Sequence, residues 1–123
     1  MGIRIVSTNR GDFTFQSADD AIKFIWRTAQ KNSDIWISGE QPYPCIAVCI
    51  NGEFAAINFF QNDAGEIWLS YNDKNQKEVT FIVEGDEWRP SADAIIALND
   101  AFSCIREFLD TYKRPTCIQW QEL

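Results

Sequence analysis

The chain contains no histidine. That absence removes the commonest general base, and with it the Ser-His and Cys-His nucleophile pairs. There is no Gly-rich phosphate loop, no dinucleotide fingerprint and no Gly-x-Ser-x-Gly elbow. No two cysteines stand in a Cys-x-x-Cys pair, so a zinc site would need Cys45, Cys49, Cys104 and Cys117 to converge without the usual spacing. All four sit in apolar segments with no obvious basic neighbour to lower a thiol pKa, so the expectation is four buried, reduced thiols, no metal and no cofactor. Long hydrophobic runs are missing too. The longest, Cys45 to Ile50, has the length of a strand, far below the roughly 18 residues of a membrane helix. Behind Met1-Gly2-Ile3-Arg4 there is no apolar signal region, and Val6 stands where a myristoylation signal wants Ser or Thr. The expected location is cytoplasmic.

What is present is an ordinary globular composition: 46% apolar and 24% charged residues, with five Trp and nine Phe among 123 residues. The length suits one core, so residues 1–123 are expected to form a single domain. The net charge is −7 and is unevenly spread. Residues 34–100 hold twelve carboxylates against Lys74, Lys77 and Arg89, a balance of −9, whereas residues 1–33 carry +2 and residues 101–123 are neutral. Such a field repels nucleic acid and anionic membrane and attracts basic partners, although solubility alone also accounts for an acidic surface.

Two helices stand out. The first is predicted from Ser17 as N-cap, with Asp20 as its capping partner, through the stripe Ala18, Ile22, Ile25 and Ala29 to Lys31-Asn32. The second is predicted after Pro90, with Ser91 as N-cap and a stripe of Ile95, Leu98, Phe102, Ile105, Leu109 and Tyr112, stopped by Pro115. Strands are predicted near Ile3–Val6, Asp12–Phe15, Ile35–Ser38, Cys45–Ile50, Glu53–Phe60, Glu66–Tyr71, Val79–Glu84 and Thr116–Gln121. Asn51-Gly52 signals a type I′ hairpin between two of them. The run Ile46 to Ile50 is apolar throughout, which predicts a central strand covered on both faces. The fold class is α+β: one mostly antiparallel sheet with two helices packed on it.

The carboxylate pairs Asp19-Asp20 and Asp86-Glu87 have no partner motif and suit solvated surface better than catalysis. Base stacking on a sheet would need a basic groove, yet Phe54, Phe59, Phe60, Trp68 and Tyr71 are interleaved with Glu53, Asp63, Glu66 and Asp73. Most of those rings are expected in the core.

The C-terminal run Arg114-Pro115-Thr116-Cys117-Ile118-Gln119-Trp120-Gln121-Glu122-Leu123 is similar to the ending of a family of bacterial immunity proteins. That is the first-numbered immunity family of polymorphic toxin systems, often found beside deaminase-type toxins. Its Trp-x-Glu mark is matched by Trp120 and Glu122, and Arg114-Pro115 also fits. Gly39 followed by Pro42-Tyr43-Pro44, the apolar strand, Asn51-Gly52, Val79-Thr80-Phe81 and Glu87-Trp88 continue the order, so the likeness runs from about residue 36 to the end.

The resemblance implies a protein that is not an enzyme and that neutralises a cognate deaminase- or nuclease-type toxin by covering its active site. The toxin domain is expected to be basic, and this protein a monomer or weak dimer that binds neither nucleic acid nor membrane. Trp120 and Glu122 have two readings, structural or in contact with the toxin, and the structural one is preferred. The expected contacts lie in the acidic middle: Asp63, Glu66, Asp73, Glu84, Asp86 and Glu87, with Trp68 and Trp88 as aromatic anchors. The alternative is a small acidic secretion chaperone, which would dimerise and hold an unfolded effector segment. A carboxylate enzyme or small-ligand domain ranks third.

Overall fold

The computed structural model describes residues 2–28 and 32–123. Short runs rich in β-branched and aromatic residues, separated by Gly and Asn turns, form most of it. In chain order the strands are β1 (Arg4–Thr8), β2 (Gly11–Phe15), β3 (Asn32–Ser38), β4 (Cys45–Asn51), β5 (Phe54–Phe60), β6 (Ile67–Tyr71), β7 (Phe81–Val83), β8 (Asp86–Trp88), β9 (Ile96–Ala97) and β10 (Gln119–Glu122). The helices are α1 (Ala18–Thr28) and α2 (Leu98–Thr111). Among the described residues the main sheet runs β10-β6-β5-β4-β3-β1-β2, with β9 paired to β5, and its pairings are antiparallel. This is the α+β arrangement expected from the sequence. β4 stands at the middle of the order, and Cys45 to Ile50 are all buried.

The β4–β5 hairpin differs from the expected turn. Asn51 pairs with Phe54, so the two-residue loop is Gly52-Glu53, with a positive φ at Gly52 (+63°). Glycine at the first loop position is the type II′ solution, not type I′. Asn51 instead ends β4 and donates from Nδ2 to the Thr80 carbonyl at 2.8 Å, tying the hairpin to the segment before β7. The type I′ turn occurs elsewhere. In β7–β8 the loop is Glu84-Gly85, with φ of +51° and +87°, and Val83 pairs with Asp86.

α1 begins where expected: the Asp20 N–H donates to Ser17 Oγ at 3.1 Å. Its buried face is Ala18, Ala21 and Ile25, with Ile22 half-buried. Of the predicted end, Ala29 and Lys31 lie outside the described residues, and Asn32 already belongs to β3. α2 starts later than the sequence suggested. Ser91 caps no α-helix, and its Oγ donates to Asp93 Oδ1 at 2.6 Å. Ala92–Ala94 form a 3-10 turn, and Ile96-Ala97 then pair with Ala55 and Phe54. The physical reason is a competing demand. β6 covers β5 only over Asn58–Phe60, so the edge of β5 at Phe54-Ala55 needs other partners for its backbone groups. The β-branched Ile95-Ile96 give little for a helix in return. α2 ends at Tyr112, which is left-handed (φ 55°) and donates its N–H to the Phe108 carbonyl at 2.6 Å.

Both helices cover one face of the sheet. Ile35, Ile37, Ile46, Val48, Ile50, Ala55, Ile57 and Phe59 meet Ile25 of α1 and Cys104, Ile105, Phe108 and Leu109 of α2 in one buried cluster. The opposite face is covered only in part, by the β7–β8 hairpin. Val79 and Phe81 bury against Cys49, Ala56 and Ile95. The remainder of that face is open.

Candidate functional site

Strand alternation builds the site. In β3, Ile35 and Ile37 point to the helices, so Asp34 and Trp36 point to the open face. In β5, Ile57 and Phe59 are buried on the helix side, which sends Asn58 and Phe60 the other way. Trp36 and Phe60 stack, with ring centroids 5.1 Å apart and planes at 23°. The β7–β8 hairpin rises beside them, its base anchored by Phe81 against Trp88 at 6.0 Å. Between hairpin and sheet is a cleft of about 400 Å³, lined by Asp34, Trp36, Phe60, Glu84, Asp86, Glu87 and Trp88, with Ala47, Cys49, Asn58 and Val83. Four carboxylates line it, and among the described residues no basic side chain does. Burial pushes the Cys49 thiol up to about 12, with the Asp34 carboxylate adding to the shift, so this sulfur stays protonated at neutral pH. Nothing in the cleft combines a nucleophile with a base. What it offers is negative charge, flat aromatic surface and carboxylate acceptors, which suit cationic side chains.

The structure brings together Glu84, Asp86, Glu87 and Trp88 of the expected contacts. Asp63 and Glu66 are exposed in the turn after Phe60, where Asn62 bonds the Glu66 carboxylate. Asp73 is exposed in the turn after β6 and does not line the cleft. Trp68 does not line the cleft. It pairs with Phe59, packs half-buried against the helix-side core, and lies under the Arg114 guanidinium at 4.7 Å. Asp34, Trp36 and Phe60 escaped the sequence reading. The signal was the period-two pattern Asp34-Ile35-Trp36-Ile37, in which the polar and aromatic members share the parity opposite to the isoleucines.

The C-terminal motif is bound into the fold. Trp120 is half-buried beside Phe59 (6.3 Å), and its Nε1 donates to the Pro115 carbonyl at 2.7 Å. Pro115 is itself buried, and Thr116 donates from N and Oγ1 to Glu107 Oε2 of α2 at 2.8 and 2.9 Å. Glu122 is exposed at the end of β10, opposite Trp68. Gly39 is buried beneath the Tyr112 ring, where an added Cβ would stand 2.7 Å from Cε1. Pro42 and Tyr43 are exposed and Pro44 half-buried, with Tyr43 and Pro44 lining a second hollow with Gly39 and Tyr112. The structure thus places this motif in two scaffolds, at the β10 edge and beside the end of α2.

No helix among the described residues is long and apolar enough to cross a membrane. No curated protein sequence matches the chain. The family model described as Immunity protein Imm1 matches residues 10–122, so the likeness extends through the N-terminal third beyond the motifs that first suggested it. The chain belongs to the Imm1 family of immunity proteins.

Proposed function

We propose that this protein neutralises a cognate deaminase- or nuclease-type toxin in the cytoplasm by seating its open sheet face over the entrance of the toxin's active site. It acts by binding, without catalysis of its own, as a monomer or weak dimer. The observation that carries this reading is the cleft: four carboxylates, no basic side chain among the described residues, and the stacked Trp36–Phe60 pair beside Trp88. A toxin that acts on nucleic acid carries a basic substrate groove, and an acidic concave surface is its electrostatic complement. Glu84, Asp86 and Glu87 are exposed and available as contacts, with Asp63 and Glu66 as outlying charges that steer approach. Trp36 and Trp88 supply the desolvated anchors that set the dissociation rate.

The test is co-expression with the toxin encoded beside it, followed by assay of the purified pair. Cells are expected to survive, and the toxin's activity is expected to fall in proportion to added protein. Death of cells that contain the folded protein would reject the immunity role. Survival without inhibition in vitro would reject occlusion as its mechanism.

A further inference from the structure

We propose that Cys104 and Cys117 form a site of oxidative modification, at which a peroxide converts two thiols into a disulfide that ties the C-terminal segment to α2. The two sulfurs already lie 3.1 Å apart, so bonding requires an approach of only about 1 Å to reach a disulfide's ~2.05 Å. The segment carrying Cys117 is held in place on both sides of that contact. Thr116 is bonded twice to Glu107, one helical turn beyond Cys104, and the Pro115 carbonyl accepts from Trp120. Contrary to the expectation of four buried thiols, Cys117 is exposed, whereas Cys104 is fully buried. An oxidant therefore reaches one member of the pair first. Burial strongly raises the Cys104 pKa, and its contact with Cys117 adds to that, so Cys104 keeps its proton beside the Cys117 sulfur.

The chemistry balances with one equivalent of peroxide. The Cys117 sulfur, as thiolate, attacks a peroxide oxygen. The O–O bond breaks, the departing hydroxide takes up a proton as water, and Cys117 becomes a sulfenic acid. The Cys104 sulfur then attacks the Cys117 sulfur, the S–O bond breaks, and the Cys104 proton leaves with the hydroxide as a second water. Two thiols lose two electrons in total and the peroxide gains them. The remaining cysteines do not compete. Cys45 and Cys49 are buried and stand four residues apart on one extended strand, roughly 13 Å, beyond the ~7 Å that a disulfide bridges.

The experiment needs no toxin, so it stands apart from the proposed function. Reduced protein is treated with hydrogen peroxide and quenched. The expected result is a fall from four to two titratable thiols under denaturing conditions, a mass loss of two hydrogens, a Cys104–Cys117 cross-linked peptide, and a rise in Tm on the order of 10 °C that dithiothreitol reverses. Cys104→Ser should lose the cross-link and leave a Cys117 sulfenic acid that dimedone traps. Cys117→Ser should keep its three thiols at the same dose. Over-oxidation of wild-type Cys117 with Cys104 still free, or a cross-link between two chains, would overturn the proposal. A disulfide that forms without raising Tm would overturn the tether.

Discussion

The two faces of the one sheet follow different physics. On the helix side, β3, β4 and β5 present Ile, Val, Ala and Phe to two helices, and these side chains are almost fully excluded from water. On the other side the same strands present Asp34, Trp36, Asn58 and Phe60, and among the described residues cover is partial, from a three-residue-strand hairpin with Val79 and Ile95 beside it. The first face holds its shape by burial and tolerates little change. The second contributes little burial and is free to carry charge and exposed rings, including a Trp36 that is 40% exposed. Stability and recognition are therefore expected to respond to different substitutions.

The largest effect should come from the helix side. Phe108→Ala removes a fully buried ring between the helices and Phe59 and should cost about 3–5 kcal/mol in urea unfolding, whereas Trp36→Ala should cost under about 1.5 kcal/mol. Equal costs would erase the distinction between the faces. Trp120→Ala comes next, at roughly 2–3 kcal/mol, because the ring is only half-buried yet its Nε1 bond to Pro115 fixes the edge strand. A smaller cost together with loss of toxin binding would instead move Trp120 to the interface.

The third effect depends on pH. Burial pushes Cys45 up to about 11, and burial with the Asp34 charge pushes Cys49 up to about 12, from an ordinary value of 9.0. Folded-state values raised above the unfolded ones give a contribution that is complete below pH 9 and is lost as pH rises toward the folded values. Above pH 9 the unfolded chain has released these protons and the folded chain has not. Stability should then fall by about 1.4 kcal/mol per pH unit per thiol. Denaturant midpoints between pH 8 and 10 should show a shallower decline for Cys45→Ala than for the wild type.

A smaller effect, of opposite sign, belongs to the hairpin tip. Glu84 occupies a left-handed position next to Gly85, and Asn-Gly suits a type I′ turn better than Glu-Gly. Glu84→Asn should raise stability by about 0.5–1 kcal/mol while weakening toxin binding through the lost charge. Smallest for the fold is the double reversal Asp86→Lys with Glu87→Lys. Both side chains are exposed, so stability should change by less than about 0.5 kcal/mol. Association with the toxin should slow by roughly tenfold at low salt and less as salt is added, as stopped-flow mixing would show. An unchanged association rate would remove these carboxylates from the encounter surface.

Much of this was legible in local pattern. The α+β class, the central placement of β4, the Ser17 cap and the immunity-family likeness all follow from features a few residues apart, since caps, period-two alternation and turn residues act locally. The start of α2 was not, because Ile96-Ala97 answer to an unpaired stretch of β5 some forty residues earlier in the chain. Trp68 and Trp36 show the limit for the site. Both are tryptophans in short apolar strands, and only the register against Phe59 and Ala47 assigns one to the core side and the other to the cleft.

The sequence by itself determined the charge balance, the lack of a histidine-based catalytic group, the unbroken apolar run of β4, and the alternation that gives β3 an apolar and a polar face. Tertiary structure decided which acidic groups meet. Asp34 and Glu87 come to line one cleft because the β7–β8 hairpin folds back over β3 and β4, held by Phe81 and by the Asn51 bond to Thr80. It also set the Cys104 and Cys117 sulfurs side by side, through the Glu107 bonds that clamp the chain after α2. These are contacts between residues far apart in the chain, fixed by burial and hydrogen bonding in three dimensions, and no local pattern encodes them.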